Sequence, residues 1–196
     1  MAALMLQVPE ETARVLRELP VPGEPEKGDP HITVIYLGKD VPIDLISSMI
    51  PVIYKISSAT LPFSVTTNHV SYFPAGEDGV PIIAEVNSPE LHRFRENLCK
   101  ALDEAGLPYD KKFPEYKPHT TLAYDSNPET TVDLNIPEIS WGAHELVLWG
   151  SNRDAGRLVV KFPFSLLTNK AASESDNAFY RVAVQVAAWK ERDQFV

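Results

Sequence analysis

The chain has 196 residues, 44% of them hydrophobic and 23% charged, with a formal net charge of −9. That is enough apolar material for one domain, or for two small lobes sharing a core, and it argues against wholesale disorder. The acidic balance argues against a surface for long nucleic acid, which draws on many Lys and Arg contacts to phosphate, but it leaves room for a small nucleotide in a locally basic pocket.

The opening MAALMLQVPEE lacks a basic n-region and turns acidic early, so no signal peptide is expected. No apolar run approaches the roughly 20 residues needed to cross a bilayer, and no membrane partner is expected. The single cysteine, Cys99, rules out an internal disulfide framework and fits a cytoplasmic location.

Residues 2–8 predict a short strand, and Glu10–Leu19 a helix with Pro9 near its start. PVPGEPEKGDP, residues 20–30, is a Pro- and Gly-rich loop. His31–Leu37 predicts a strand stopped by Gly38. Ile43–Ile56 has helical spacing, with Pro51 expected to kink or end it. Leu61–Phe73 and Val80–Val86 predict two strands around the turn PAGEDG. Pro89–Ala105 is the clearest helix, with Leu91, Phe94, Leu98 and Leu102 in one stripe and Gly106 and Pro108 ending it.

After the loop YDKKFPEYK comes a strand over 119–124, and further strands are expected at 143–149 and 157–164. The order of elements predicts an α+β fold, with helices laid against largely antiparallel sheet. TNKAASESDNA, residues 168–178, is a polar connector. In FYRVAVQVAAW, Tyr180, Val182, Val184 and Val186 alternate with more polar positions, which favours a strand that joins a sheet edge or pairs with another copy of the chain.

The motif that carries chemistry is written twice. PHITVIY occupies residues 30–36 and PHTTLAY residues 118–124, each heading an apolar run. On a regular strand, side chains two apart share a face and lie roughly 6.5–7 Å from one another. His31, Thr33 and Ile35 are then expected on one face, and Ile32, Val34 and Tyr36 on the other. The second copy sorts His119, Thr121 and Ala123 from Thr120, Leu122 and Tyr124.

Two histidines and two threonines lining one cleft suit phosphate-ester chemistry. One imidazole takes a proton from the attacking oxygen near neutrality while the other protonates the departing one. Threonine hydroxyls hydrogen-bond the non-bridging oxygens, and no metal or other cofactor is required. Taken alone, His-x-[Ser/Thr] is a weak signal, because a histidine at a strand end commonly has no chemical duty. His69-Val70-Ser71 matches it too. The extended pattern, with Pro before and two apolar residues and Tyr after, sets the two copies apart, and His69 is treated as a decoy.

PHITVIYLG and KPHTTLAY resemble the paired motifs of the 2H phosphoesterases, the superfamily of bacterial 2′-5′ RNA ligases and cyclic phosphodiesterases. The resemblance spans residues 2–164 and includes FPAGEDGVPIIAEV between the motifs. It implies a bilobal pseudo-twofold fold over residues 1–166, with two mostly antiparallel sheets forming a central cleft and helices outside. Residues 167–178 would be the connector, and 179–196 a C-terminal extension through which copies of the chain could associate.

By the same resemblance His31, Thr33, His119 and Thr121 are the catalytic four. The implied activity is metal-independent cleavage of a 2′,3′-cyclic phosphate, a 2′,5′-linked oligonucleotide or a cyclic oligonucleotide signal. The last would counteract cyclic-nucleotide antiviral signalling in a host cytoplasm, as similarly small phage members do. RNA 2′-5′ ligation or end-processing is an alternative, as is sequestration of a nucleotide without cleavage. Where many members carry a basic residue after the second motif, this chain has Tyr124-Asp125.

Other candidates have ordinary readings beside the functional ones. Lys111, Lys112 and Lys117 could draw phosphate to the cleft, or form a solvated loop. Phe73 and Trp149 could stack on bases, or pack in the core. Arg153 and Arg157 flank a turn, His92 and His144 carry no motif context, and Cys99 has no adjoining His. HExxH, Walker and GxGxxG patterns are absent from the sequence.

Overall fold

The computed structural model describes residues 1–112, 115–152 and 156–165. Strand β1 (Ala2–Gln7) is buried at every position but Gln7, as a strand covered on both faces must be. Helix α1 (Glu10–Arg17) starts after Pro9, with Glu10 and Glu11 in its first turn and Arg14 and Arg17 near its end, the order its dipole favours. Within the following loop, β2 (Glu24–Pro25) is a two-residue strand not foreseen from the sequence.

Strand β3 (His31–Gly38) carries the first motif. Helix α2 (Ile43–Ser58) continues through Pro51, so the proline does not end it. Pro51 lies on the exposed face, while Ile46, Met49, Ile50 and Ile53 bury the opposite one. The one backbone bond that proline removes is therefore lost where water can replace it, and the buried stripe holds the helix together.

Strands β4 (Phe63–Tyr72) and β5 (Val80–Asn87) pair antiparallel around the predicted turn. Helix α3 (Pro89–Glu104) is capped by the Ser88 hydroxyl, which accepts from the Leu91 N–H at 3.3 Å, and buries the predicted leucine and phenylalanine stripe. Strand β6 (His119–Asp125) carries the second motif, followed by β7 (Leu134–Ala143), β8 (Glu145–Asn152) and β9 (Gly156–Pro163). Most of β7 was not expected. It contains Pro137, and its pairing with β4 shifts register between the Thr67 and His69 rows, opposite residues 135–139, on the outer edge of the sheet where proline is tolerated.

The strands form two antiparallel sheets, ordered β3-β1-β8-β9 and β2-β6-β5-β4-β7. Among the described residues, and apart from β2, each sheet has four strands with a motif strand at one end, and β3 lies against β6. One large apolar cluster joins both sheets to α2 and α3, running from Leu4, Ile32 and Leu148 to Val65, Val86 and Leu98. Phe63, Phe94 and Phe164 cross-link its two halves, with ring centroids 5.0 to 6.2 Å apart. This is the α+β architecture of two antiparallel sheets that the sequence predicts. Among the described residues, no helix is long and apolar enough to cross a membrane. The connector, the expected C-terminal strand and Arg153 lie outside the described residues.

Candidate active site

The two motifs anchor their histidines alike. His31 Nδ1 lies 2.9 Å from the carbonyl oxygen of Asp29, and His119 Nδ1 lies 2.7 Å from that of Lys117. A carbonyl only accepts, so each Nδ1 carries a hydrogen and each Nε2 keeps a lone pair when the ring is neutral. The intervening prolines hold this geometry, since proline fixes its own φ and keeps the residue before it extended. Their carbonyls are also used alike. The Val8 N–H donates to Pro30 at 3.1 Å, and the Val86 N–H donates to Pro118 at 3.0 Å.

Past the threonines both strands bulge at the same place. Against β1, Thr33 faces Met5 and Ile35 faces Leu4, leaving Val34 as the extra residue. Against β5, Thr121 faces Ile83 and Ala123 faces Ile82, leaving Leu122 extra. A bulge resets the alternation of faces. Ile35 therefore joins Ile32 and Val34 in the main core, and Ala123 packs with Val70, Val80 and Ile82. The expectation that Ile35 and Ala123 share a face with the histidines is thus overturned. Tyr36 and Tyr124, expected to point away, come to the cleft side: Tyr36 packs with Ala3 and Met5, and Tyr124 shares a hydrogen bond with the Thr121 hydroxyl.

Cross-strand neighbours on this face correspond between lobes. Gln7 is opposite His31, as Glu85 is opposite His119. Ala3 is opposite Tyr36 and Trp149, while Pro81 is opposite Tyr124 and its carbonyl accepts from the Phe73 N–H at 3.0 Å. Phe73 and Trp149 thus take corresponding places. The Phe73 ring meets His119 edge-on at 4.8 Å between centroids, and Trp149 is half-buried in mid-strand rather than at a strand end.

Burial holds the His119 imidazole below the ordinary histidine value of 6.5. Its bond to Lys117 opposes that shift, and the charge of His31 adds to it, so the rings lie close enough to repel when both are protonated. Burial also pushes the Tyr124 phenol up, assisted by the carboxylates of Glu26 and Asp78 and opposed by Thr121. Neutral His119 and a second imidazole within electrostatic reach form a pair suited to acid–base work.

The remaining candidates sort differently. Lys111 is drawn to Asp103 of α3 at 2.6 Å, away from the histidines, and Lys117 is exposed beside Glu115 at 3.7 Å. His69 shares the cleft face, its backbone opposite Glu85, but its ring engages Asn135 and Asp133 at the far edge of the sheet. Glu85 itself accepts from the Ser71 hydroxyl at 2.6 Å. His92 lies edge-on to Tyr116 at 5.4 Å, and Cys99 lies on α3. Among the described residues, no three His, Cys, Asp or Glu side chains gather as metal ligands would. Sequence inspection missed Tyr124 because only the bulge turns it to Thr121.

The comparisons agree with this architecture. The family model for the 2′-5′ RNA ligase superfamily matches residues 7–155. TT0787 of Thermus thermophilus superimposes with a TM-score of 0.65 at 20% identity, over 85% of this chain and 99% of that one. Apo E. coli LigT gives a TM-score of 0.60 at 17% identity, over 84% and 96%. LigT complexed with 3′-AMP gives 0.60 at 16%, over 85% and 98%. No curated protein matches by sequence. The chain belongs to the 2′-5′ RNA ligase superfamily, the 2H phosphoesterases, and is an enzyme of that type.

Proposed function

We propose that the protein is a metal-independent phosphodiesterase that cleaves a small nucleotide by two-histidine acid–base catalysis. His119 Nε2 takes the proton from the attacking oxygen, a ribose hydroxyl or a water. As the new P–O bond forms, the bond to the departing oxygen breaks, and His31 Nε2–H delivers its proton there. Thr33 and Thr121 donate hydrogen bonds to the non-bridging oxygens, where charge builds up. The base role goes to His119 because burial keeps that ring neutral.

The observation that supports this reading is the matched pair of Nδ1 bonds to the carbonyls of Asp29 and Lys117, which leave each Nε2 lone pair open for proton transfer. Phe73 and Trp149, in corresponding places, would stack the two bases of a substrate, and Lys117 would attract its phosphate at the rim. E. coli LigT has been captured with 3′-AMP, ATP and NADP+, ligands of the size proposed here. The net charge of −9 favours such a ligand over long RNA.

The test is incubation of the purified protein, with EDTA present, against 2′,3′-cyclic phosphates, linear 2′,5′-oligonucleotides and cyclic di- and trinucleotides, read by mass. Products whose rate of formation falls by orders of magnitude with His31→Ala and with His119→Ala are expected. Ligand bound but recovered intact identifies a sequestering protein, and activity on long RNA alone, steeply salt-dependent, identifies an RNA end-processor. Either result overturns the proposal, as does activity abolished by EDTA and restored by a divalent metal.

A further inference from the structure

The two motif strands are each the end of their four-strand unit, yet their outer edges are finished differently. In the second lobe β2 adds to the edge of β6, and the Glu26 N–H donates to the carbonyl of the bulge residue Leu122 at 2.9 Å. In the first lobe β3 is the edge of its sheet among the described residues. Its outward carbonyls would be left without backbone partners.

Side chains and a loop take over that duty. Arg95 Nε, on α3, donates to the carbonyl of the bulge residue Val34 at 3.1 Å. The Tyr116 hydroxyl donates to the carbonyl of Thr33 at 3.1 Å. The Asp110 N–H donates to the carbonyl of Tyr36, also at 3.1 Å. The Arg95 guanidinium lies over the Tyr116 ring, 4.5 Å from its centroid, and His92 closes that ring's edge.

Tyr116 immediately precedes Lys117, whose carbonyl orients His119. The peptide run that aims the second histidine is therefore fastened to the backbone of the first threonine. We propose that Arg95 and Tyr116 are positioning residues, forming a clamp that sets the bulge of β3 and holds the two half-sites at working separation. The inference rests on the two-histidine reading above. It adds residues that touch neither substrate nor reacting atoms.

Burial pushes the Tyr116 phenol well above its ordinary value, with Arg95 opposing, so the hydroxyl keeps its proton and remains a donor across the working range. The groups facing His119 are His31 across the cleft, Glu85 opposite on β5 and turned to Ser71, and Lys117 beside Glu115. The Lys117 carbonyl bond favours protonated His119. With the ring's burial retained, weakening that bond lowers the His119 pKa further.

The test uses the full chain with Tyr116→Phe, which keeps the ring and removes one donor, and with Arg95→Met and Arg95→Lys. In Tyr116→Phe, kcat should fall about ten-fold, the size of one net hydrogen bond, with KM within about two-fold. The acidic limb of its pH–rate profile, and the His119 imidazole titration followed by NMR, should both move to lower pH. Arg95→Met should do the same, and Arg95→Lys should recover part of the loss, since ammonium can still sit over Tyr116 and donate to Val34.

An unmoved His119 titration in Tyr116→Phe overturns the clamp, even if melting temperature and activity fall together, because that pattern marks a merely structural role. The NMR readout needs no substrate. A shifted titration in a protein inactive on every diester would uphold the clamp while sinking the catalytic reading.

Discussion

His31 and His119 are two members of a composition that contains five histidines. What distinguishes them is that each donates Nδ1–H to a backbone carbonyl two residues back. His31→Ala and His119→Ala should each lower kcat by about 10²–10⁴-fold without unfolding the protein, measured on the substrate that the mass screen identifies. On the proposed mechanism, Thr33→Val and Thr121→Val should cost about 10- to 100-fold in kcat, because each would remove one donor to charge that develops only in the transition state.

The lowered His119 pKa also bears on stability. Below about pH 6.5 the unfolded chain takes up a proton at this ring before the native state does. The native state is therefore destabilised as pH falls from 6.5 through the folded value, and nothing is lost above 6.5. The urea midpoint should thus drop more between about pH 7.5 and pH 5.5 in the wild type than in His119→Gln. An equal drop in both proteins would show that burial of this ring carries no such linkage.

At the scale of elements, the ends of the strands decide which side chains reach the cleft. Gly79, at φ +109°, brings the turn before β5 against the backbone of Asp125 at the end of β6, where an added Cβ would collide with the Asp125 carbonyl. Gly79→Ala should therefore cost about 1–3 kcal/mol in urea unfolding and lower kcat as β6 shifts. Much at this scale was readable beforehand. The PHxT copies, the capped α3 stripe and the β4–β5 hairpin declare themselves by local pattern, with the structure ending each within a residue or two of expectation.

What local pattern does not carry is pairing register. The bulges at Val34 and Leu122 arise because one strand fits an extra residue against its neighbour, a relation between distant segments. So Ile35 and Ala123 were assigned to the wrong face, and Tyr124 was not recognised as a partner of Thr121. Pro51 misled for a related reason. Proline's missing donor matters only where that donor would have been needed, and exposure or an edge position removes the need. Arg95 and Tyr116 had no motif at all; only the fold brings them against β3.

For the whole molecule, the shared core determines whether two half-sites act as one. Phe164, just past β9, stacks on Phe63 of β4 and meets Phe94 of α3, tying the first sheet to the second lobe. Phe164→Ala should cost about 3–5 kcal/mol in urea unfolding. A single cooperative transition is expected for both proteins, and two separate transitions in the wild type would contradict a common core.

In the proposed reaction two imidazoles serve one phosphorus, one as base and one as acid. The most direct measurement is the pH dependence of kcat/KM, with EDTA present, for the wild type and for each single histidine variant. A bell-shaped wild-type profile is predicted, with its acidic limb below 6.5, the ordinary value of the His119 imidazole. The acidic limb should vanish in His119→Ala, and the alkaline limb in His31→Ala. A profile whose limbs survive both substitutions, or a wild-type rate flat across that range, would contradict it.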